Sequence, residues 1–402
     1  MKHLLTCIAL LTSLTVLAQP APVSAYEFRG VWIATVDNID WPQRGDTNPA
    51  TQRADFIRLL DLHQKNGMNA VIVQIRPAAD AFYPSALEPW SQWLTGVQGK
   101  APFPYYDPLQ FMITEAHKRG MEFHAWLNPY RANFNVKTAS ISSNHITRIH
   151  PDWFLTYGDK KYFDPSNKDA QDFVVKVVRD IVNRYDVDAI HMDDYFYPYR
   201  IPGKEFPDQA AYVRSHSKLS KDDWRRSNVD SIIYKLSVAI KQEKPQVKFG
   251  ISPFSVWRNK DRDPMGSDTR AGQTNYDDLY ANILLWMQKQ WIDYVAPQLY
   301  LEMGHDKIAY ETMVDWWSRH SYGRHVYIGH GVYRAGEKNP AWKNPSELPN
   351  QIKLLRQYPN IQGSIYYSSK IFDRNPNGWN DSLRNNYYRM PAQVPVMEWL
   401  ER

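Results

Sequence analysis

"SNKDAQDFVVKVVRDIVNRYDVDAIHMDD", Ser166 to Asp194, holds one helix-to-strand unit, and its reading organises the rest of the chain. The first part opens with Ser166 and Asp169 in a capping pattern and sets Phe173, Val177 and Ile181 on one face, which predicts an amphipathic helix. The second part, "DAIHMDD", is short and apolar and ends in two adjacent carboxylates, which predicts a buried strand with polar groups at its C-terminal end.

The same kind of strand recurs seven more times: "RGVWIATV" from Arg29, "NAVIVQIR" from Asn69, "MEFHAWLN" from Met121, "VKFGISPF" from Val247, "IDYVAPQLY" from Ile292, "HVYIGHGVY" from His325 and "GSIYYSSK" from Gly363. Between consecutive runs there is room for one helix. "NYDDLYANILLWMQKQW", for instance, predicts a stripe of Leu279, Ile283 and Trp286. Eight strands with crossover helices in this length predict an α/β fold of the (β/α)8 TIM-barrel type, a single domain. An open doubly wound sheet would carry a glycine-rich phosphate turn after its first strand, and "WIATVDNIDWP" offers none. Helix-to-strand links are short, whereas the strand-to-helix links Pro77 to Asp107 and Pro129 to Ser166 are long and aromatic. Long loops therefore gather at the C-terminal face of the strands, where they would wall a cleft for an extended ligand.

The chain has 402 residues, 43% hydrophobic and 23% charged, a net charge of +5 without a basic block, and a mean hydropathy of −0.58. These values exclude a polytopic membrane protein and give no footprint for nucleic acid. Residues 1–25 have a basic start, an apolar run from Leu4 to Leu17, and small-residue cleavage options after Ala18 or Ala25, which predicts an export signal and a periplasmic or secreted protein. The single cysteine, Cys7, lies early in that run rather than at its end, which argues against a lipid anchor, and no later stretch is apolar enough for stable membrane insertion. The mature chain has no thiol, so disulfides and cysteine-ligated metals are excluded. The expected organisation is a leader over 1–25, a barrel over 26–385, and a tail over 386–402 that packs on the barrel or begins a linker. Oligomeric state is not legible.

Aromatic residues reach 14%, a mixture that serves a thick core or a carbohydrate cleft. Side chains alternate along "AIHMDD", so Ile190 and Met192 would face the helices while His191 and Asp193 point into the barrel mouth. Asp193 then stands where a barrel enzyme places a catalytic carboxylate. Asp194, one step on, could cap a turn, bond a neighbour or tilt into the site. His191 could orient the carboxylate or bind a hydroxyl. Glycosidic chemistry needs a second carboxylate. Glu302, which continues the parity of Gln298 and Tyr300 beyond the sixth strand, is the candidate acid or a plain loop glutamate. Arg76, Trp126, Asn128, Arg131, Tyr195, Tyr197, Trp257, Gln298 and Tyr300 would line the mouth and bind sugar. "WIATVDN" lacks the His-x-His of barrel metal hydrolases, so neither metal nor cofactor is expected.

"FRGVWIATVDNIDWP", "VIVQIRPAADAFYPS", "HAWLNPYR", "DAIHMDDYFYP", "ISPFSVWRN" and "APQLYLEMGH" together resemble the glycosyl-hydrolase-like family 10, exported bacterial proteins with a (β/α)8 barrel. The resemblance runs from about Glu27 to about Lys370. It implies hydrolysis of glycan strands, peptidoglycan foremost. It matches Asp193 to the family's strand-four aspartate, Asn128 and Arg131 to its strand-three motif, and Gln298 and Tyr300 to its strand-six motif. Leu301 stands where relatives often carry Trp, which removes a stacking ring at that subsite. The reading is an exported glycoside hydrolase acting on cell-wall glycan, with a non-catalytic glycan-binding barrel or a hydrolase of another polysaccharide as alternatives.

Overall fold

The structure, a computed structural model, describes residues 25–137 and 141–400. The leader, apart from Ala25, lies outside the described residues. Eight parallel strands close on themselves: β1 (Phe28–Ile33), β2 (Ala70–Arg76), β3 (Glu122–Leu127), β4 (Ala189–Met192), β5 (Lys248–Ile251), β6 in two pieces (Tyr294–Val295 and Gln298–Leu299), β7 (His325–His330) and β8 (Gly363–Tyr366). β8 pairs with β1 through Phe28 and Gly363, which closes the (β/α)8 barrel. β6 is split at Pro297, which has no N–H to give a ladder.

The principal crossover helices are α1 (Pro49–Lys65), α2 (Pro108–His117), α3 (Lys168–Arg184), α4 (Lys221–Glu243), α5 (Ile283–Gln288), α6 (Tyr310–Arg319) and α7 (Glu347–Leu355). In α3 the buried stripe is Val174, Val177, Val178 and Ile181, with Phe173 at its edge, and each aliphatic side chain so covered contributes roughly 1.5–3 kcal/mol. Its N-cap is Asn167, whose side chain accepts from Ala170 N–H, not Ser166. Ser166 instead donates to Asp164. The expected single helix over Leu279, Ile283 and Trp286 is broken at Tyr280, which has φ 54°, and restarts under an Asn282 cap; all three residues are nevertheless buried.

Alternation along the strands separates two cores. Ile190 and Met192 join the large cluster between strands and helices, while Phe28, Trp32, Trp126, Tyr294 and Tyr327 fill the barrel interior. The interior is packed, not hollow. Gly250 makes room for it: a Cβ there would meet the Tyr294 ring at 2.0 Å. The N-terminal end of the barrel is covered by the last described residues, with Met397 in the interior cluster and the Trp399 indole donating to Asp293 at 2.9 Å. At the opposite end stand the long loops. The one after β3 carries its own antiparallel sheet, Arg131–Asn133, Phe154–Tyr157 and Lys160–Phe163.

Candidate active site

Register sets the floor of the mouth. Gln74, Trp126 and His191 lie side by side on β2, β3 and β4, all pointing inward, and Asp193 stands one inward step above His191. They sit in or beneath a cavity of about 320 Å³ at the C-terminal face. The cavity is lined by Asp193 and Asp194, by Trp32, Trp126, Tyr195, Tyr300, Tyr333 and Tyr367, and by Gln74, Arg131, Ser252 and Gln298 among others.

Both carboxylates are almost fully buried. Asp193 Oδ2 accepts from the Trp126 indole at 3.1 Å and from Asn128 at 3.0 Å, while its Oδ1 has only longer contacts, 3.2 Å to Asn128 and 3.5 Å to Tyr195 N–H. Asp194 accepts from Tyr199 Oη at 2.5 Å and from Gln298 Nε2 at 3.1 Å. Burial pushes Asp193 up to about 7; the Asp194 charge adds to it, and Arg131, Trp126 and Asn128 oppose it. Asp194 is raised too, by burial first, against the pull of Tyr199 and Gln298. Both shifts run the same way, so each carboxyl gives up its proton less readily than an ordinary one, and Asp193 Oδ1, with only longer contacts, is the atom with room for a proton.

Each of the six ordered stretches quoted above gives this cavity at least one lining residue. Glycosyl hydrolase-like 10 matches residues 27–344. The chain belongs to the glycosyl-hydrolase-like family 10. It is 51% identical over 381 residues to glycosyl hydrolase YngK of Bacillus subtilis (strain 168), across 93% of this chain and 74% of that protein. It is 39% identical over 376 residues to glycosyl hydrolase DigH of Escherichia coli (strain K12), across 87% and 85%. Two solved structures share the fold: the PgaB (BpsB) glycoside hydrolase domain of Bordetella bronchiseptica, with TM-score 0.53 and 14% identity over 91% of this chain and 99% of that one, and the β-amylase catalytic domain of Paenibacillus polymyxa, with TM-score 0.60 and 10% identity over 92% and 99%.

In this family 10 barrel several residues expected at the mouth support it from behind. His191 lies under the pocket floor. Burial, then the nearby His124, holds it well below the ordinary histidine range, so it is neutral. Its Nε2 accepts from Trp32 at 3.3 Å and lies 3.1 Å from Ser252 Oγ, which leaves the proton on Nδ1, 2.9 Å from Tyr294 Oη. Arg76 is fully buried and bound to Glu88 and to the Asn128 carbonyl, so it anchors the loops after β2 and β3 and does not face the cavity. Asn128 likewise acts through others, holding Asp193 and accepting from Arg131 N–H at 2.7 Å. Arg131 and Tyr195 both line the cavity, with the guanidinium 5.6 Å from the ring.

Besides Arg76, three expectations need correction. Glu302 does not line the cavity: Trp342, Asn339 and Arg334 hold its carboxylate at 2.9, 3.0 and 3.3 Å. Burial pushes Glu302 up, but its own backbone N–H and these three donors outweigh it and leave it below the usual range, the wrong direction for an acid. Tyr197 is 1% exposed and packs on Phe206 and Tyr280, because the chain leaves the strand at Met192 and the simple parity of Tyr195 and Tyr197 no longer applies. Trp257 is buried against Trp316 and Tyr276, outside the cavity.

Sequence reasoning missed Trp32 and Tyr367. Trp32 shares the inward parity of β1, and Tyr367 directly follows β8, so strand position alone could have found both. It also missed Asp37, whose carboxylate lines the rim in a left-handed turn, φ 54°. No period announces such a turn. Among the described residues no group of three or more His, Cys, Asp or Glu side chains is arranged to hold a metal ion, and no helix is long and apolar enough to cross a membrane.

Proposed function

We propose that this chain is an exported glycoside hydrolase that cleaves glycosidic bonds of bacterial cell-wall glycan, the strands of peptidoglycan. The observation that carries the reading is the buried pair Asp193 and Asp194 inside an aromatic cavity at the barrel mouth. Aromatic walls serve binding and catalysis alike. A pair of adjacent carboxylates does not: burying two like charges is costly, and a binding module gains nothing from it that hydroxyls or amides would not supply. For a hydrolase the pair is useful, because one member keeps a proton to give to the leaving oxygen while the other keeps its charge. Asp193 is the acid in this reading. Asp194, fixed by Tyr199 and Gln298, is the ionised member.

Membership of the family and the hydrolase names of its relatives support the enzymatic class. The leader-like first 25 residues support export to the compartment where peptidoglycan lies. Incubating the mature protein with purified peptidoglycan, intact and peptide-stripped, and identifying the new ends by mass spectrometry tests the reading. Release of glycan fragments is expected. Retention of the polymer by the protein with no new ends would favour the binding barrel, and cleavage of an unrelated polysaccharide alone would move the substrate.

A further inference from the structure

An acid that protonates the leaving oxygen still needs a nucleophile at the anomeric carbon. Where two carboxylates share this work they flank the sugar, about 5–10 Å apart. Asp193 and Asp194 are consecutive residues at one strand end, and Glu302 is elsewhere. The third carboxylate of the cavity, Asp37, is 49% exposed at the rim and bound to Arg44 at 2.8 Å. What the cavity does offer is a set of groups suited to an amide. Asp194 is an acceptor in the cavity wall, held in place by Tyr199 and Gln298. Trp32, Tyr300 and Tyr367 form an apolar corner, with ring centroids 6.1 Å apart for Trp32 and Tyr367 and 5.8 Å for Tyr300 and Tyr367. Gln74 is fully buried; its Oε1 is committed to the N–H groups of Thr35 and Val36, and its Nε2 has no partner. An orphaned buried donor in a cavity wall asks for an acceptor on the ligand.

We propose that the site works by substrate assistance on a 2-acetamido sugar: the acetamido oxygen of the substrate is the nucleophile, Asp194 accepts its N–H, and Asp193 is the acid and then the base. This rests on the hydrolase reading and narrows the substrate to glycans whose reacting sugar carries an N-acyl group at C2, as peptidoglycan strands do. In the first step the acetamido oxygen bonds to C1 and the C1–O bond to the leaving sugar breaks. That bond's electron pair stays on the leaving oxygen, which takes the proton from Asp193 Oδ1. The positive charge on the resulting oxazolinium ring is held by its N–H against Asp194. In the second step water bonds to C1 and gives a proton to Asp193, while the ring C1–O bond returns its electrons to the amide. The acetamide is restored, and two displacements leave the anomeric configuration unchanged.

Three measurements on the mature protein test this. The nascent ends from peptide-stripped strands are followed by NMR, and retained configuration is expected; inversion would overturn the proposal. Strands whose acetamides have been exchanged for trifluoroacetamides carry a much weaker nucleophile, so kcat/KM should fall at least 100-fold relative to N-acetyl strands. Equal cleavage would overturn the proposal and leave a carboxylate nucleophile, with Asp37 the first to be tested. A disaccharide thiazoline, which imitates the cyclic intermediate, should bind tightly by calorimetry and lose at least tenfold in affinity in Asp194→Asn; no binding to a protein that cleaves strands also overturns it. Failure of every glycan to be cleaved would instead remove the hydrolase reading, and this proposal with it.

Discussion

Asp193 and Asp194 are consecutive in the chain yet are held from different sides of the barrel: Trp126 on β3 and Asn128 just beyond it hold the first, and Gln298 on β6 holds the second. The environments differ accordingly.

Asp193→Asn should lower kcat/KM on natural glycan by several powers of ten, and by less on a substrate with an activated aglycone, because a good leaving group needs little protonation. Near-wild-type turnover on strands would remove Asp193 from the acid role.

The same variant has a stability signature. An acid whose pKa is raised from 3.8 to about 7 binds its proton more tightly in the folded protein, so its contribution is full below about pH 4 and is lost as pH climbs to about 7. The loss is at most about 1.4 kcal/mol per pH unit for one proton. Asp193→Asn should therefore gain on the wild type from pH 4 to 7 and level off above. Asp80, pushed to about 7 by burial, has the same slope in both proteins and cancels in the difference. Denaturant midpoints against pH measure it, and a constant difference would refute the assignment.

Asn128→Ala takes a donor from the charged form of Asp193 and should raise that acid further. The alkaline limb of the kcat/KM profile should move up by about one pH unit. An unmoved limb with lower kcat would mean that Asn128 serves only the loop.

Glu302→Gln should leave turnover within a few-fold and cost roughly 1–3 kcal/mol of stability, since Trp342, Asn339 and Arg334 lose a charged acceptor. A large kinetic loss at unchanged melting temperature would return Glu302 to the chemistry.

Tyr195→Ala should weaken capture of long strands more than short ones, because binding energy away from the cleaved bond helps to position it. Tyr197→Ala should instead lose roughly 3–5 kcal/mol of stability with a flat length profile, as for other buried rings. A reversal of the two patterns would exchange their places.

The barrel was legible in the sequence because its determinants are local. The period of two in "AIHMDD" and the helical stripe through Val177 and Ile181 are fixed within a few residues of chain, and their alternation leaves few topologies. The same locality located Asp193, Trp126 and Gln298, since inward parity at a strand end is a one-dimensional property. It failed farther into the loops. Tyr197 turns into the core and Glu302 turns away to Trp342, because each lies in a loop whose course is set by partners far along the chain: Tyr280 for Tyr197, Asn339 and Trp342 for Glu302. For Asp194 the sequence left three courses open, and it is Gln298, distant in the chain, that meets it at the cavity. Sequence alone therefore determined which strand ends line the mouth. Only the tertiary structure decided which carboxylates meet there, because the donors and the desolvation that set their protonation come from separate strands brought together by closure of the barrel.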